Sequence, residues 1–220
     1  MKLTKYKKQI PAKLYKLLES RGFEELRPSQ IKSIKAGLFE DKNLLVCTPT
    51  GSGKTLVGEL AILDAIYKNV GKAVYIVPLK ALANEKYREF KARYPDLKIA
   101  ISIGDIDSPE FHLAKYDVII CTSEKLDSLL RHQAPWLKDL KVVIVDEIHL
   151  ITDPNRGPTL EILLTILRTL LKDIQIIGLS ATIGNPKELA EWLDAELVLD
   201  KWRPVKLEQG VHLDGQIEFV

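Results

Sequence analysis

Short apolar runs alternate with stretches of helical periodicity along most of this chain. Runs of four to six apolar and β-branched residues predict seven strands, at residues 43–47, 73–77, 98–101, 118–121, 142–146, 175–180 and 196–199. Apolar residues at helical spacing follow most of them and predict helices at residues 55–68, 79–93, 123–131, 159–172 and 186–192, with two shorter helices at 11–20 and 28–37. This alternation favours the α/β class, with a mostly parallel sheet covered by helices on both faces.

The pattern changes near the end of the chain. After Pro204 the residues alternate, and Asp214-Gly215 between Val211 and Ile217 predicts a small β-hairpin. We therefore expect three segments: N-terminal helices at residues 1–40, the main α/β domain at 41–203, and an exit segment with the hairpin at 204–220. A hairpin without a closing helix also leads us to expect that the chain is part of a longer protein.

Length, charge and cysteine content indicate what class of protein this is, but they do not indicate its function. A chain of 220 residues suits one large α/β domain, and 32 basic against 30 acidic residues give a net charge of only +2. Net charge therefore does not indicate a nucleic-acid binder. Two cysteines at the ends of apolar runs predict buried free thiols, and no stretch approaches the ~20 uncharged apolar residues of a membrane span. We expect a soluble, intracellular protein.

A glycine-rich turn, TPTGSGKT at residues 48–55, lies between the first predicted strand and a helix. Backbone N–H groups at such a helix start can surround a polyphosphate, with Lys54 reaching the β and γ phosphates and the Thr55 hydroxyl binding Mg²⁺. The residues assigned to nucleotide binding here are Thr50, Gly51, Ser52, Gly53, Lys54 and Thr55. The alternative is an ordinary turn rich in Gly, Pro and Thr, since Thr48 stands where the strict phosphate-loop pattern has glycine.

A second acidic turn, DEIH at residues 146–149, follows another predicted central strand. Ligands of parallel sheets bind at the carboxyl ends of the strands, so Asp146 is a candidate magnesium ligand and Glu147 a candidate base for the attacking water. Alone, DEIH could be a solvated acidic strand end. The two turns together, in this order, predict a site for Mg²⁺ and a nucleoside triphosphate.

These motifs, with several others, resemble superfamily 2 helicases. The similarity is to the first RecA-like motor domain of the archaeal DNA-repair helicases of the Ski-like group, also called Holliday junction migration helicases. The matching segments are FEELRPSQ at 23–30, TPTGSGKT at 48–55, PLKALANEK at 78–86, GDIDS at 104–108, TSEKLDSLLR at 122–131, DEIH at 146–149, SAT at 180–182 and WRP at 202–204. The resemblance implies a RecA-like phosphate-loop NTPase fold and ATP and Mg²⁺ as cofactors.

The resemblance also assigns roles to individual residues. It implies adenine recognition by Phe23, Arg27 and Gln30, and coupling of hydrolysis to strand movement by His149, Ser180 and Thr182. It implies contacts to nucleic acid at Pro78, Lys80, Asp105, Thr122 and Ser123. A glutamine amide can pair with the N6 and N7 edge of adenine, whereas the plain alternative is that Gln30 points outward from a helix. Thr122 and Ser123 could likewise be ordinary helix caps.

At the level of function, the resemblance implies an ATP-dependent 3′ to 5′ DNA helicase in repair or recombination at stalled forks. Its partners would be single-stranded or forked DNA, a second RecA-like domain and further domains, with no membrane and a nucleoid-associated location. Because arginine fingers come from the second motor domain in that family, we expect weak hydrolysis by this chain alone. The alternatives are an RNA helicase, a duplex translocase, or a non-catalytic nucleotide-binding scaffold.

Overall fold

The structure is a computed structural model that describes residues 1–104, 109–206, 208, 210–213 and 215–219. Within these residues the strands are β1 Leu44–Cys47, β2 Lys72–Ile76, β3 Ile99–Ser102, β4 Val118–Cys121, β5 Leu140–Asp146, β6 Gln175–Ser180, β7 Glu196–Leu199, β8 Gly210–Leu213 and β9 Gln216–Phe219. The α-helices are α1 Ala12–Ser20, α2 Pro28–Lys35, α3 Lys54–Tyr67, α4 Lys80–Arg93, α5 Ser123–Arg131, α6 Gly157–Leu170 and α7 Pro186–Leu193.

In the described part of the chain, strands β1 to β7 form one sheet in the order β3-β4-β2-β5-β6-β1-β7. Every neighbouring pair is parallel. The carboxyl ends of β5, β6 and β1 are therefore adjacent at one edge of the sheet. Turns that are far apart in sequence meet there.

Two cores cover the two faces of the sheet. Helices α1 to α4 pack on one face against strand residues such as Tyr75 and Ile144. Helices α5 to α7 pack on the other face against residues such as Val143 and Val145. Alternate residues of β5 thus point into opposite cores, as the two-residue period of a strand requires. The predicted three-layer α/β class with a parallel sheet is confirmed.

The predicted element boundaries differ by a few residues from those in the structure. Helix α6 begins at Gly157 rather than residue 159, because Asp153 Oδ1 accepts hydrogen bonds from the N–H groups of Asn155 and Arg156, both 2.9 Å, and starts the turn earlier. The predicted hairpin is confirmed, since β8 and β9 pair antiparallel with Leu213 opposite Gln216. Asp214, part of the hairpin signal, lies outside the described residues. Among the helices that the structure describes, none is long and apolar enough to cross a membrane.

Candidate active site

The glycine-rich turn joins β1 to α3 and is held on one side by α2. Gly51 and Gly53 have φ angles of +81° and +89°, a region that side chains with a Cβ rarely adopt. The carbonyl oxygens of Gly51, Ser52 and Gly53 accept hydrogen bonds from Arg27 at 2.5 Å, Ser29 at 3.4 Å and Gln30 at 3.1 Å, respectively. Side chains at the start of α2 thus brace three consecutive residues of the turn.

The Lys54 ammonium group is the most informative feature of this turn. Its Nζ atom is buried and has no hydrogen-bond partner in the part of the chain that the structure describes. It lies 3.5 Å from Glu147 Oε1, and Thr55 is the next residue of α3. Glu147 supplies one negative charge to this buried cation, but the ammonium N–H groups have no acceptor among the described residues. Buried polar groups are stable when they are hydrogen-bonded, so the position fits the phosphate oxygens of the triphosphate that the sequence predicts.

The DEIH turn places Glu147 beside Lys54, with Asp146 close enough for the charge of Lys54 to act on it. Asp146 Oδ1 accepts a hydrogen bond from the Glu147 N–H at 3.1 Å, and Asp146 Oδ2 accepts one from the Tyr75 hydroxyl at 2.9 Å. Burial is the largest cause that raises the pKa of Asp146, and the Tyr75 hydrogen bond opposes it. Glu147 has a φ of +52°, which is uncommon for a residue with a side chain and is typical of functional turns.

A short polar chain connects the DEIH turn to the end of β6. Glu147 Oε2 is 3.3 Å from His149 Nδ1, and that nitrogen is 3.4 Å from Ser180 Oγ. Ser180 is fully buried as the last residue of β6, whereas Thr182 is exposed two residues further on. Of the predicted coupling residues, the structure joins His149 and Ser180 to Glu147.

Two of the predicted adenine-binding residues, Arg27 and Gln30, contact the glycine-rich turn, and Arg27 also contacts Trp202. Gln30 is only 3% exposed, so the alternative that it points outward is wrong. Its amide oxygen accepts from the Arg27 N–H at 2.9 Å while its nitrogen donates to Gly53. The Arg27 guanidinium carbon is 5.6 Å from the centre of the Trp202 ring. Phe23 is half-buried against the α1–α4 core.

Comparison with known proteins identifies the family. A family model described as DEAD/DEAH box helicase matches residues 27–189. The chain belongs to the DEAD/DEAH box helicase family. Membership implies ATP with Mg²⁺ as cofactors, which confirms that prediction.

Individual relatives agree with this family. The chain is 54% identical over 207 residues to the ATP-dependent DNA helicase Hel308 of Pyrococcus abyssi, a match that covers 94% of this chain and 28% of that protein. It is 55% identical over 216 residues to Hel308 of Methanocaldococcus jannaschii, covering 94% of this chain and 18% of that protein. The chain thus spans less than a third of the length of these relatives.

Solved helicase structures share the fold. The DUF1998 helicase MrfA bound to DNA has a TM-score of 0.73 and 29% sequence identity, over 88% of this chain and 30% of that chain. A second MrfA structure, bound to DNA and AMPPNP, has a TM-score of 0.72 with the same identity. The predicted RecA-like helicase fold is confirmed.

Four of the predicted nucleic-acid residues of this helicase domain lie just after β2 or β4, at the same sheet edge: Pro78, Lys80, Thr122 and Ser123. Pro78 and Ser123 line a small cavity together with Asp146, Glu147 and Arg156. The Thr122 hydroxyl accepts a hydrogen bond from the Lys125 N–H at 3.4 Å and caps α5. This is the ordinary helix cap that the sequence left open as an alternative. Lys80 is exposed at the first position of α4, and Asp105 lies outside the described residues.

Two residues that sequence reasoning missed contact this helicase site. Tyr75 lies in β2, and the only feature that distinguishes it in the sequence is its hydroxyl group within an otherwise apolar run. Arg156 donates from Nη1 to the Pro78 carbonyl oxygen at 3.1 Å and so connects the turn before α6 to the turn after β2. Neither has a local motif, because each contact depends on how separate strands are ordered in the sheet.

Proposed function

We propose that this chain is the ATP-binding first motor domain of a 3′ to 5′ DNA helicase that acts in repair or recombination. The observation that carries the proposal is the buried Lys54 ammonium without a hydrogen-bond partner among the described residues, 3.5 Å from Glu147. An ammonium in this position is suited to a triphosphate, and an adjacent carboxylate is suited to a water that attacks it. The name DNA helicase, carried by the Hel308 relatives, supports DNA as the track.

The roles of the site residues follow from their chemistry. Lys54 would hold the β and γ phosphates of ATP, and Thr50 to Thr55 would surround them with backbone N–H groups. Thr55 and Asp146 would hold Mg²⁺, which neutralises phosphate charge when bound. Glu147 would take the proton from the attacking water. Phe23, Arg27 and Gln30 would recognise the adenine.

Recognition of adenine would use the remaining hydrogen-bonding capacity of the Gln30 amide. Both ends of the Gln30 amide are already hydrogen-bonded, to Arg27 and to Gly53. The amide nitrogen has a second hydrogen and the amide oxygen a second lone pair, so the amide can pair with a base while it keeps both partners. Adenine binding would therefore leave the brace on the glycine-rich turn in place.

Coupling to DNA would use the neighbouring turns. Pro78, Lys80, Asp105, Thr122 and Ser123 would contact the backbone of a single strand without reading its sequence. His149, Ser180 and Thr182 would transmit the phosphate state toward these contacts. The cavity that Pro78 and Ser123 share with Glu147 supports this arrangement, because it leaves no intervening element between the hydrolytic turn and the proposed DNA surface.

A second motor domain would complete the site for ATP hydrolysis. Further domains would separate the DNA strands. An arginine finger is worth roughly 10³ to 10⁵ in rate, so this chain alone should bind Mg-ATP but turn it over slowly. The full helicase activity, action at stalled forks and the nucleoid-associated location are parts of the same proposal. They follow from the resemblance to the Hel308 group.

The decisive test is Glu147→Gln in protein that carries both motor domains, because this chain alone should turn ATP over slowly. Removing a general base should lower the ATP turnover rate by about 10² to 10⁴-fold while leaving the affinity for ATP within a few fold of wild type. Turnover is measured as phosphate release, and affinity with a fluorescent ATP analogue. Glu161→Gln is the matched control, because Glu161 is an exposed glutamate on α6 that is not among the residues lining the cavity beside Asp146 and Glu147.

The outcomes separate the alternatives. Turnover at the wild-type rate in Glu147→Gln would show that Glu147 is not the base. Absence of ATP binding by the wild-type chain would favour the non-catalytic scaffold. Comparing stimulation of turnover by single-stranded DNA, RNA and blunt duplex, in protein that carries both motor domains, separates a DNA helicase from an RNA helicase or a duplex translocase.

A further inference from the structure

The buried side chain of Tyr75 contacts Asp146, the proposed magnesium ligand, from the neighbouring strand. Tyr75 lies in β2, directly opposite Ile144 of the adjacent strand β5, which ends at Asp146. Its hydroxyl donates a hydrogen bond to Asp146 Oδ2 at 2.9 Å. Asp146 Oδ1 accepts from the Glu147 N–H. Each carboxylate oxygen of Asp146 thus has one protein donor.

The Tyr75 ring has no freedom to reorient. The side chain has 0% exposure, and its ring packs edge to face on Phe90 with the centroids 5.5 Å apart. Phe90 packs in the same way on Tyr94 at 5.7 Å. This aromatic stack, Tyr75–Phe90–Tyr94, lies between the sheet and α4. The hydroxyl direction is therefore set by the core and not by solvent.

The chemistry of the two groups sets the direction of this hydrogen bond. The Asp146 carboxylate offers acceptor oxygens, and the Tyr75 hydroxyl supplies the hydrogen. Tyr75 is therefore the donor in this pair.

We propose that Tyr75 is a positioning residue that orients the Asp146 carboxylate for Mg²⁺. A carboxylate has about four lone-pair sites on its two oxygens, and the two donors occupy one site on each. The remaining lone-pair sites would be available to hold Mg²⁺ or its bound water. Partners of metal ligands commonly contribute 10 to 100-fold in metal affinity. The inference rests on the proposed role of Asp146 as a magnesium ligand.

The test is Tyr75→Phe, which keeps the ring and removes only the hydroxyl. The measured quantity is the Mg²⁺ concentration that half-saturates tight binding of a fluorescent ATP analogue, which does not require turnover. We expect this concentration to rise about 10-fold. The affinity for the analogue in EDTA should not change. Asp146→Asn provides the reference for loss of the metal ligand.

Tyr94→Phe is the matched control. It removes a buried hydroxyl from the same aromatic stack, but that hydroxyl donates to Glu59 and not to Asp146. Its Mg²⁺ half-saturation should equal that of wild type. In the Asp146→Asn background, Tyr75→Phe should produce no further change, because the carboxylate it orients is gone. Thermal unfolding without Mg²⁺ verifies that each variant is folded.

Each outcome is decisive. A wild-type half-saturation in Tyr75→Phe, with a shifted value in Asp146→Asn, would overturn the inference about Tyr75 alone. Equal shifts in Tyr75→Phe and Tyr94→Phe would show that loosening of the stack, not the lost hydrogen bond, causes the effect. A wild-type half-saturation in Asp146→Asn would instead overturn the proposed metal site itself.

Discussion

Alanine substitutions at Gly51 and Gly53 can measure how much the contacts from α2 stabilise the glycine-rich turn. Both have positive φ, +81° at Gly51 and +89° at Gly53. A Cβ at Gly53 would lie 2.6 Å from Gln30 Nε2 and 2.9 Å from Arg27 Cδ. A Cβ at Gly51 would meet only Pro204, with its nearest atom at an ordinary 3.8 Å. Alanine at either position adds the same backbone strain, but only Gly53→Ala displaces the brace.

The magnitudes follow from these contacts. A left-handed conformation costs an L-residue about 1–2 kcal/mol, and this applies to both variants. In Gly53→Ala the Gln30 amide must also move and lose its hydrogen bond to the Gly53 carbonyl. A buried polar group left without its partner costs about 1–3 kcal/mol. Gly53→Ala should therefore be less stable than Gly51→Ala by about 1–3 kcal/mol.

Urea unfolding without nucleotide measures this difference, since ligand binding would otherwise add to the apparent stability. The midpoint should fall more for Gly53→Ala than for Gly51→Ala, with the slope of the transition unchanged. Coincident midpoints for the two variants would refute the reasoning, because they would mean that the contacts of Arg27 and Gln30 with the turn do not contribute to stability.

Two further predictions concern packing away from this turn. Gly157→Ala would place a Cβ 2.1 Å from the Ile151 carbonyl oxygen, so we expect a loss of more than about 3 kcal/mol by thermal or urea unfolding, whereas Gly184→Ala, with no atom within 4 Å, should change stability by less than about 0.5 kcal/mol. Similar stability of these two variants would contradict the geometry at the start of α6. Burial raises the pKa of Cys47 to about 11 and that of Cys121 to about 12, so both thiols are neutral at pH 8 and should react with iodoacetamide far more slowly in the folded chain than in urea. Mass spectrometry over time measures this, and equal rates in the two states would show that the thiols are accessible.

Much of the fold could be predicted because its signals are local. The strand β4 at Val118–Cys121 and the helix α5 at Ser123–Arg131 have the bounds that periodicity indicated. Such boundaries depend on neighbouring residues, which is why apolar spacing and caps locate them. The start of α6 was missed because it depends on hydrogen bonds that the Asp153 side chain accepts from backbone N–H groups, which periodicity does not register.

The candidate site could be predicted only in part. Lys54 and Glu147 were found because each belongs to a motif with its own chemistry. Tyr75 and Arg156 were not found, since their contacts with Asp146 and Pro78 join residues that are 71 and 78 positions apart. The engagement of both ends of Gln30 was also not foreseen, because it depends on where α2 packs against the turn.

By itself the sequence determined the α/β class, the parallel sheet and the chemistry of its two principal turns, because residue type and periodicity act over a few positions. Tertiary structure decided which turns meet. The strand order β5-β6-β1 brings the DEIH turn to the lysine of the glycine-rich turn, and the pairing of β2 with β5 places a phenol behind Asp146. These contacts come from the order in which strands pair, a property of the whole chain that no short segment contains.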